Sequence, residues 1–208
     1  MPYVGNDIVD LREPANAGKS RDLRFLKKIL TDAEIEFVQN AENPDKALWS
    51  LWACKETAYK IIKKSRAHAA FLPSQWEVIF NKSKSTYVGG EIAVPSVPTF
   101  YFRLFSHTGY VHSVGTDCKD ALEKMICNVV SLPQQANGVK PDASPFLREC
   151  LTQNLARYFH LKSNDIKINR IKEKNELRPP HVYINGKISD IDISLSHDGQ
   201  FIAYAFLK

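Results

Sequence analysis

The sequence predicts an α+β protein of two similar subdomains, each a long helix packed on antiparallel strands, related by a pseudo-twofold axis. Three observations carry this. Two amphipathic stretches, 46–64 and 146–161, have helical apolar spacing, and each is followed by strand-like runs punctuated by Gly and Pro. Each half also ends in a Ser-His followed by an aromatic hairpin, "LFSHTGYVHSVGTD" at 104–117 and "SLSHDGQFIAYAFLK" at 194–208. Finally, "SLPQQANGVKPDASP" (131–145) is polar and rich in Pro and small residues, the composition of a linker. The halves are set at 1–118 and 119–208, an internal echo of the kind duplication leaves.

In chain order, "VGNDIVDL" reads as a short strand in which Val4 and Ile8 stand among small and acidic residues. Leu23, Leu26, Ile29 and Leu30 mark a helical segment over 21–40. Within it "TDAE" (31–34) fits a capping box and predicts a break or a fresh start at Thr31. The next helix begins after Asn43-Pro44 and meets no internal breaker. Strand-like runs follow at "QWEVIF", "TYVGGEIAV" and "TFYFRLFSHTGYVHSVGTD". In the second half Leu147, Leu151, Leu155 and Phe159 recur four apart, and "DIKINRI" and the final hairpin supply strands. Residues 65–100 have no functional reading.

With 44% hydrophobic and 25% charged residues in 208, the chain has the composition of a soluble globular protein. No basic start is followed by an apolar run, and no stretch approaches the roughly 20 apolar residues of a membrane span. The expectation is a cytoplasmic protein with no membrane partner, and Cys54, Cys118, Cys127 and Cys150, scattered without metal or redox spacing, read as reduced thiols. A net charge of +5 suits an anionic partner. The basic runs "KSRDLRFLKK" (19–28) and "KINRIKEKNELR" (167–178) are, taken alone, solvated faces. "ARYFHLK" and "TYVGGEIAV" offer little interleaving of basic residues with exposed aromatics along one groove, so no nucleic-acid partner is expected.

The chemistry gathers in three places. Residues four apart stack on one helix face, so Trp52, Glu56 and Lys60 form a column, with Lys55 about 100° round and bordering the same groove. Taken alone, Glu56 and Lys60 make an ordinary surface pair worth roughly a few tenths of a kcal/mol. Asp7 and Asp10, however, interrupt an apolar strand where acids are disfavoured. Asp7 shares a face with Val9, and Asp10 points the other way. One carboxylate from a strand and one from a helix suit a hard cation: Mg²⁺, or equally Mn²⁺, with a lysine nearby to hold the same phosphates. "SLSHDG" offers a hydroxyl and an imidazole to an anion, and its Asp-Gly also reads as a hairpin turn. A Ser-His-Asp hydrolase is not expected, because those residues are contiguous and no G-x-S-x-G elbow exists.

"GNDIVDL", "WACKETAYK" and "ISLSHDGQFIAYAF" together resemble the signature motifs of the 4′-phosphopantetheinyl transferases. Their order is that of the small holo-acyl-carrier-protein synthases, chains of about half this length that build each site between subunits. "RFLKKILTDAE" is similar to the first helix of those enzymes. The second half resembles instead the N-terminal half of the larger surfactin-synthetase-activating type, with Arg148 on the helix and "ELRPP" in place of a Gly-Lys-Pro turn. The whole chain is thus similar to a surfactin-type pseudodimer with its halves in reverse order.

The resemblance implies Mg²⁺-dependent transfer of 4′-phosphopantetheine from coenzyme A to a serine of an apo-carrier protein, releasing adenosine 3′,5′-bisphosphate. It implies that Asp7 and Glu56 coordinate Mg²⁺ and that Glu56 helps remove the serine proton. Lys60, together with Lys55, would neutralise phosphate charge. His197 and Ser196 would contact the coenzyme's phosphates across the interface between halves, and Arg148 and Arg178 would hold its 3′-phosphate and adenine end. Arg21, Arg24, Lys27 and Lys28 would dock the acidic helix of the carrier. Two positions depart from the pattern: Val9 stands where the surfactin type has a second acid, and Asn6 where an aliphatic residue is usual. Ser106-His107 looks like the relic of a lost second site, so one site per chain and a monomer are expected. The alternative is a catalytically inactive homologue that binds a carrier protein or an anion; retention of Asp7, Glu56 and Lys60 weighs against it.

Overall fold

The computed structural model describes residues 1–83, 86–133, 141–173 and 176–208. Local signals set the first helices. Asp22 accepts hydrogen bonds from Arg24 N and Phe25 N and starts α1 (Leu23–Ile29). Thr31 and Glu34 cap each other's backbone N–H and start α2 (Asp32–Gln39), so the capping box does split the 21–40 helical segment. α3 (Pro44–Ser65) begins where Asn43 accepts from Lys46 N and Pro44 occupies the first turn, and it ends in Lys63 and Lys64, cations suited to a helix C-terminus. No helix among the described residues is long and apolar enough to cross a membrane.

These helices cover one antiparallel sheet of β1 (Val4–Asp10), β2 (Glu77–Ser83), β3 (Val88–Ala93), β4 (Phe100–Ser106) and β5 (Tyr110–Thr116), in the order β1-β5-β4-β3-β2. Leu26, Leu48, Leu51, Ile61, Ile92 and Phe102 fill the space between. β2 and β3, from the stretch without a functional reading, widen this sheet. The second half contributes β6 (Ile126–Ser131), α4 (Ala143–Tyr158), β7 (Ile166–Glu173), β8 (Glu176–Ile184), β9 (Lys187–Ile188), β10 (Asp192–Asp198) and β11 (Phe201–Leu207). They form the sheets β10-β11-β6 and β7-β8-β9, with Leu147, Leu151 and Leu155 of α4 packed on Ile168, Ile193 and Tyr204. The orders β4-β5-β1 and β10-β11-β6 match, so the topology of the first half recurs in the second.

The sequence reading missed β6 and β8. β8 contains Pro179 and Pro180, which argue against a strand; they are accommodated where the β7–β8 register shifts, between Arg170 and Lys172. β6 lacks clean alternation and, among the described residues, pairs only with β11. It also takes Ser131 out of the expected linker, of which residues 134–140 lie outside the described residues.

β1 is enclosed on four sides. β5 pairs with one edge. Along the other edge the N–H groups of Val4, Asn6, Ile8 and Asp10 donate in step to Asp192 Oδ2 (2.6 Å), Ser194 Oγ (2.9 Å), Ser196 Oγ (2.8 Å) and Asp198 Oδ2 (2.8 Å). Side chains of β10 thus satisfy donors that an edge strand leaves open. The alternation in "DISLSHD" follows: oxygen-bearing residues face β1, while Ile193 and Leu195 enter the second core. On the back face Ile8 packs on Phe201 and Ala203, and Val4 on Ala205 and Leu207. On the front, α3 comes very close. A Cβ on Gly5 would lie 2.2 Å from Thr57 O, and one on its cross-strand partner Gly115 would lie 2.9 Å from Thr57 Cγ2. This glycine pair is what lets lysines of α3 reach the β1 backbone.

Behind the strand Asn6 Nδ2 donates to His112 Nε2 at 3.3 Å, both side chains being buried. Burial, with Lys60's charge second, lowers the His112 pKa to about 3. The unfolded chain therefore binds a proton between about pH 6.5 and 3 that the folded chain refuses. Its contribution to stability is complete above that window and is lost as pH falls through it, at about 1.4 kcal/mol per pH unit. Urea midpoints measured at pH 7.5 and pH 5 are expected to fall less steeply in His112→Gln than in the native protein; equal falls would show that His112 already titrates when folded.

Candidate active site

The column read from α3 meets β1. Lys60 Nζ donates to Asp7 Oδ1 and to Asn6 O, both at 2.8 Å. Ser196 Oγ, 3.4 Å from Asp7 Oδ1, joins the second half to the same carboxylate. Asp10 turns away, as alternation requires, and accepts from Arg12 N and Gln200 N. Val9 lies buried in the first core and offers no oxygen. One turn beyond Lys60 on α3, Lys64 donates to Val4 O, Asp192 Oδ2 and Ile193 O, stapling α3, β1 and β10 together.

Glu56 has no hydrogen-bond partner among the described residues. Its pKa is raised to about 7, first by burial and then by the charge of Asp7, with Lys60 acting the other way. Burial raises Asp7 as well, against the opposing pull of Lys60. Asp7 thus rests on Lys60, while its charge adds to the cost of ionising Glu56. A carboxylate near pKa 7 is also well placed to accept a proton.

Two adjoining cavities open from this point between the halves. The larger, about 660 Å³, is lined by Asp7, Lys60, Arg148, Arg170, Ser196 and His197 among others. The smaller, about 220 Å³, is bordered by Glu56, Lys60, Lys63, Arg170, Leu177 and Arg178. The Arg148 guanidinium is held by Ser144 O (3.0 Å) and Ser144 Oγ (2.5 Å). Arg178 grips Glu173 through Nε (2.7 Å) and Nη2 (2.6 Å). Neither Arg148 nor Arg170 has an acidic partner among the described residues, and burial together with Arg148's charge lowers the Arg170 pKa. That pair leaves room for an anion.

Of the expected site residues, Asp7, Glu56, Lys60, Ser196, His197, Arg148 and Arg178 line these cavities, but Lys55 does not. The expectation that Lys55 borders the groove fails because its fully buried ammonium donates to Ile29 O, Glu34 Oε2 and Pro73 O inside the first core. Ser196 lies in the seam, with its hydroxyl between Ile8 N and Asp7. Arg170 was missed, although the signal existed: Ile166, Ile168 and Arg170 share one strand face, so the arginine ends an apolar row. Arg21, Arg24, Lys27 and Lys28 are all exposed.

Comparison with known proteins assigns the chain a family. The model of the 4′-phosphopantetheinyl transferase superfamily matches residues 3–114, over half of the chain and including β1 and α3. The chain belongs to the 4′-phosphopantetheinyl transferase superfamily. Two holo-[acyl-carrier-protein] synthases, both of Leptospira biflexa serovar Patoc strain Patoc 1 (Ames and Paris), are 36% identical to it over 62 residues, 30% of this chain and 49% of each relative. The chain thus spans about half the length of the curated relatives it matches. The crystal structure of Thermotoga maritima holo-[acyl-carrier-protein] synthase aligns with a TM-score of 0.37 and 16% identity, over 74% of this chain and 92% of that one.

The repeated topology puts a different set of residues at the corresponding place in the second half. Aligning the β4–β5 and β10–β11 hairpins on their Ser-His ends places Cys127 of β6 where β1 carries Asp7, since Cys127 pairs with Ala205 as Asp7 pairs with Ser113. The cavity there, about 180 Å³, is bordered by His107, Tyr110, His112, Cys127 and Asn128, with no carboxylate among them.

Proposed function

We propose that the chain transfers 4′-phosphopantetheine from coenzyme A to a serine of an apo-carrier protein, with Mg²⁺ or Mn²⁺ held by Asp7 and Glu56. The observation that carries this is the pairing of a Glu56 carboxylate at pKa about 7 with the Asp7–Lys60 contact, at cavities also bordered by Arg148 and Arg170, neither of which has an acidic partner among the described residues. The donor set fits a hard dication: two carboxylate arms, the charge of Asp7 raising the cost of ionising Glu56, with room for water and phosphate oxygens. A cation so bound would neutralise charge on the pyrophosphate.

The chain's own groups do the rest. Glu56 accepts the proton of the carrier serine. The serine oxygen then bonds to the β-phosphorus of coenzyme A as the bond to the adenosine-bearing phosphate breaks, and adenosine 3′,5′-bisphosphate leaves. Lys60 stabilises charge on the phosphates, because positioning and electrostatics dominate such transfers. His197, exposed on the larger cavity, and Arg148 with Arg170 hold the nucleotide end; Arg178 stiffens the β7–β8 hairpin beside them through Glu173. Arg21, Arg24, Lys27 and Lys28 offer the acidic carrier a docking face. Ser196 serves mainly by fixing Asp7.

The test is transfer to an apo-carrier protein followed by intact mass. The expected result is a gain of one phosphopantetheine group in the presence of Mg²⁺ and none with a chelator. Tight binding of coenzyme A without any mass gain, across several carriers, would favour the inactive anion-binding homologue instead.

A further inference from the structure

We propose that Lys60 is the resting counter-cation of Asp7, and that a phosphate must draw it off before a divalent cation can take that carboxylate. Phosphate donor and cation then load together. The inference rests on the cation reading given above and concerns what controls the filling of that site.

The contrast between two lysines of one helix carries it. Lys64 uses three acceptors, Val4 O, Asp192 Oδ2 and Ile193 O, and its side chain is only 6% exposed. All its hydrogens are engaged, so it is fixed. Lys60, one turn earlier, makes the same reach to the β1 backbone but uses two acceptors, Asn6 O and Asp7 Oδ1. Its side chain is 28% exposed and borders both cavities, so the third hydrogen and a path outward are available.

A cation on Oδ2, which makes no hydrogen bond among the described residues, would share one carboxylate with the Lys60 ammonium at Asp7. The Asp7 side chain is only 13% exposed, and Oδ1 already receives Lys60 at 2.8 Å and faces Ser196 Oγ at 3.4 Å. A magnesium-like ion needs its oxygens at about 2.0–2.1 Å. An ammonium on the same carboxylate repels that ion at close range. Val9 removes the obvious escape, because no second acid on this face of β1 offers the ion another seat. A polyanion in the cavity gives Lys60 a new partner and frees Asp7, and by linkage each ligand then strengthens the other.

Mn²⁺ binding measured by electron paramagnetic resonance, with and without coenzyme A and against protein-free controls, tests this without reference to turnover. Without coenzyme A, Lys60→Met is expected to bind Mn²⁺ roughly tenfold more tightly than the native chain, a typical coupling between sites. Coenzyme A should tighten binding more in the native chain than in Lys60→Met. Lys63→Met removes a half-buried neighbouring cation that borders the groove but donates to Ala67 O and does not touch Asp7; a change below about threefold is expected, since the Coulomb interaction weakens with distance. Lys60→Gln repeats the measurement if the methionine variant fails to fold. Equal affinity in Lys60→Met and the native chain overturns the proposal, as does an equal gain in Lys63→Met, which would reveal a general field effect. Absence of Mn²⁺ binding in every protein, even with coenzyme A, removes the cation site itself and the proposal with it.

Discussion

Glu56→Gln is expected to keep the fold and lose the transfer, with a rate lower by about 10²–10⁴, the usual worth of a positioned base. Glutamine has nearly the same volume and leaves α3 and Lys60 in place, but it can neither accept a proton nor supply anionic charge to a cation. Stability should move the opposite way. A carboxyl whose pKa rises from 4.5 to about 7 on folding holds its proton longer in the folded chain than in the unfolded one. Stability therefore drains away as pH rises through that interval, and ionised Glu56 is a burden above it. In the absence of divalent cation, Glu56→Gln should match the native melting temperature near pH 4.5 and exceed it at pH 8. A less stable variant at pH 8 would mean that the Glu56 carboxylate has a stabilising partner when folded. Full activity would remove Glu56 from the chemistry.

What was legible in the sequence was local. The capping box at Thr31, the Asn43-Pro44 start of α3 and the four-residue spacing of Glu56 and Lys60 are read over a few residues, and each is found in the structure. Alternation on β1 sent Asp10 away from Asp7 because a strand has only two faces. The serines of "SLSH" show the limit. A hydroxyl bonded to a backbone N–H 188 positions away in the chain looks in sequence like a hydroxyl free to meet a ligand. Asn6 is legible only after folding, when His112 arrives from β5. Arg170 was hidden because its basic neighbours made the segment resemble a solvated face, while the alternation that singles it out spans only three residues.

Lys55 exposes the same limit most sharply, and its replacement should produce the largest loss of stability. Nothing in "ACKETAYK" separates two lysines that flank a glutamate, yet one meets the groove and the other is sealed in the first core. The Lys55 ammonium holds Ile29 O, the last residue of α1, at 3.0 Å, Pro73 O at 2.8 Å and Glu34 Oε2 at 2.5 Å. Glu34 in turn accepts from Thr31 N and Val78 N. One knot therefore ties α1, α2, α3 and the start of β2. Lys55→Ala strands a buried carboxylate and opens a cavity beside it. Breaking one partner of such a pair typically costs about 3–5 kcal/mol, a large part of the roughly 5–15 kcal/mol of a whole domain. Lys55→Met fills the space but keeps the stranded charge, so urea midpoints should rise from Lys55→Ala to Lys55→Met and stay below the native value in both. The coenzyme KM of the folded fraction should stay at the native value throughout. A stable Lys55→Ala with a raised coenzyme KM would reverse the assignment and return this lysine to the phosphates.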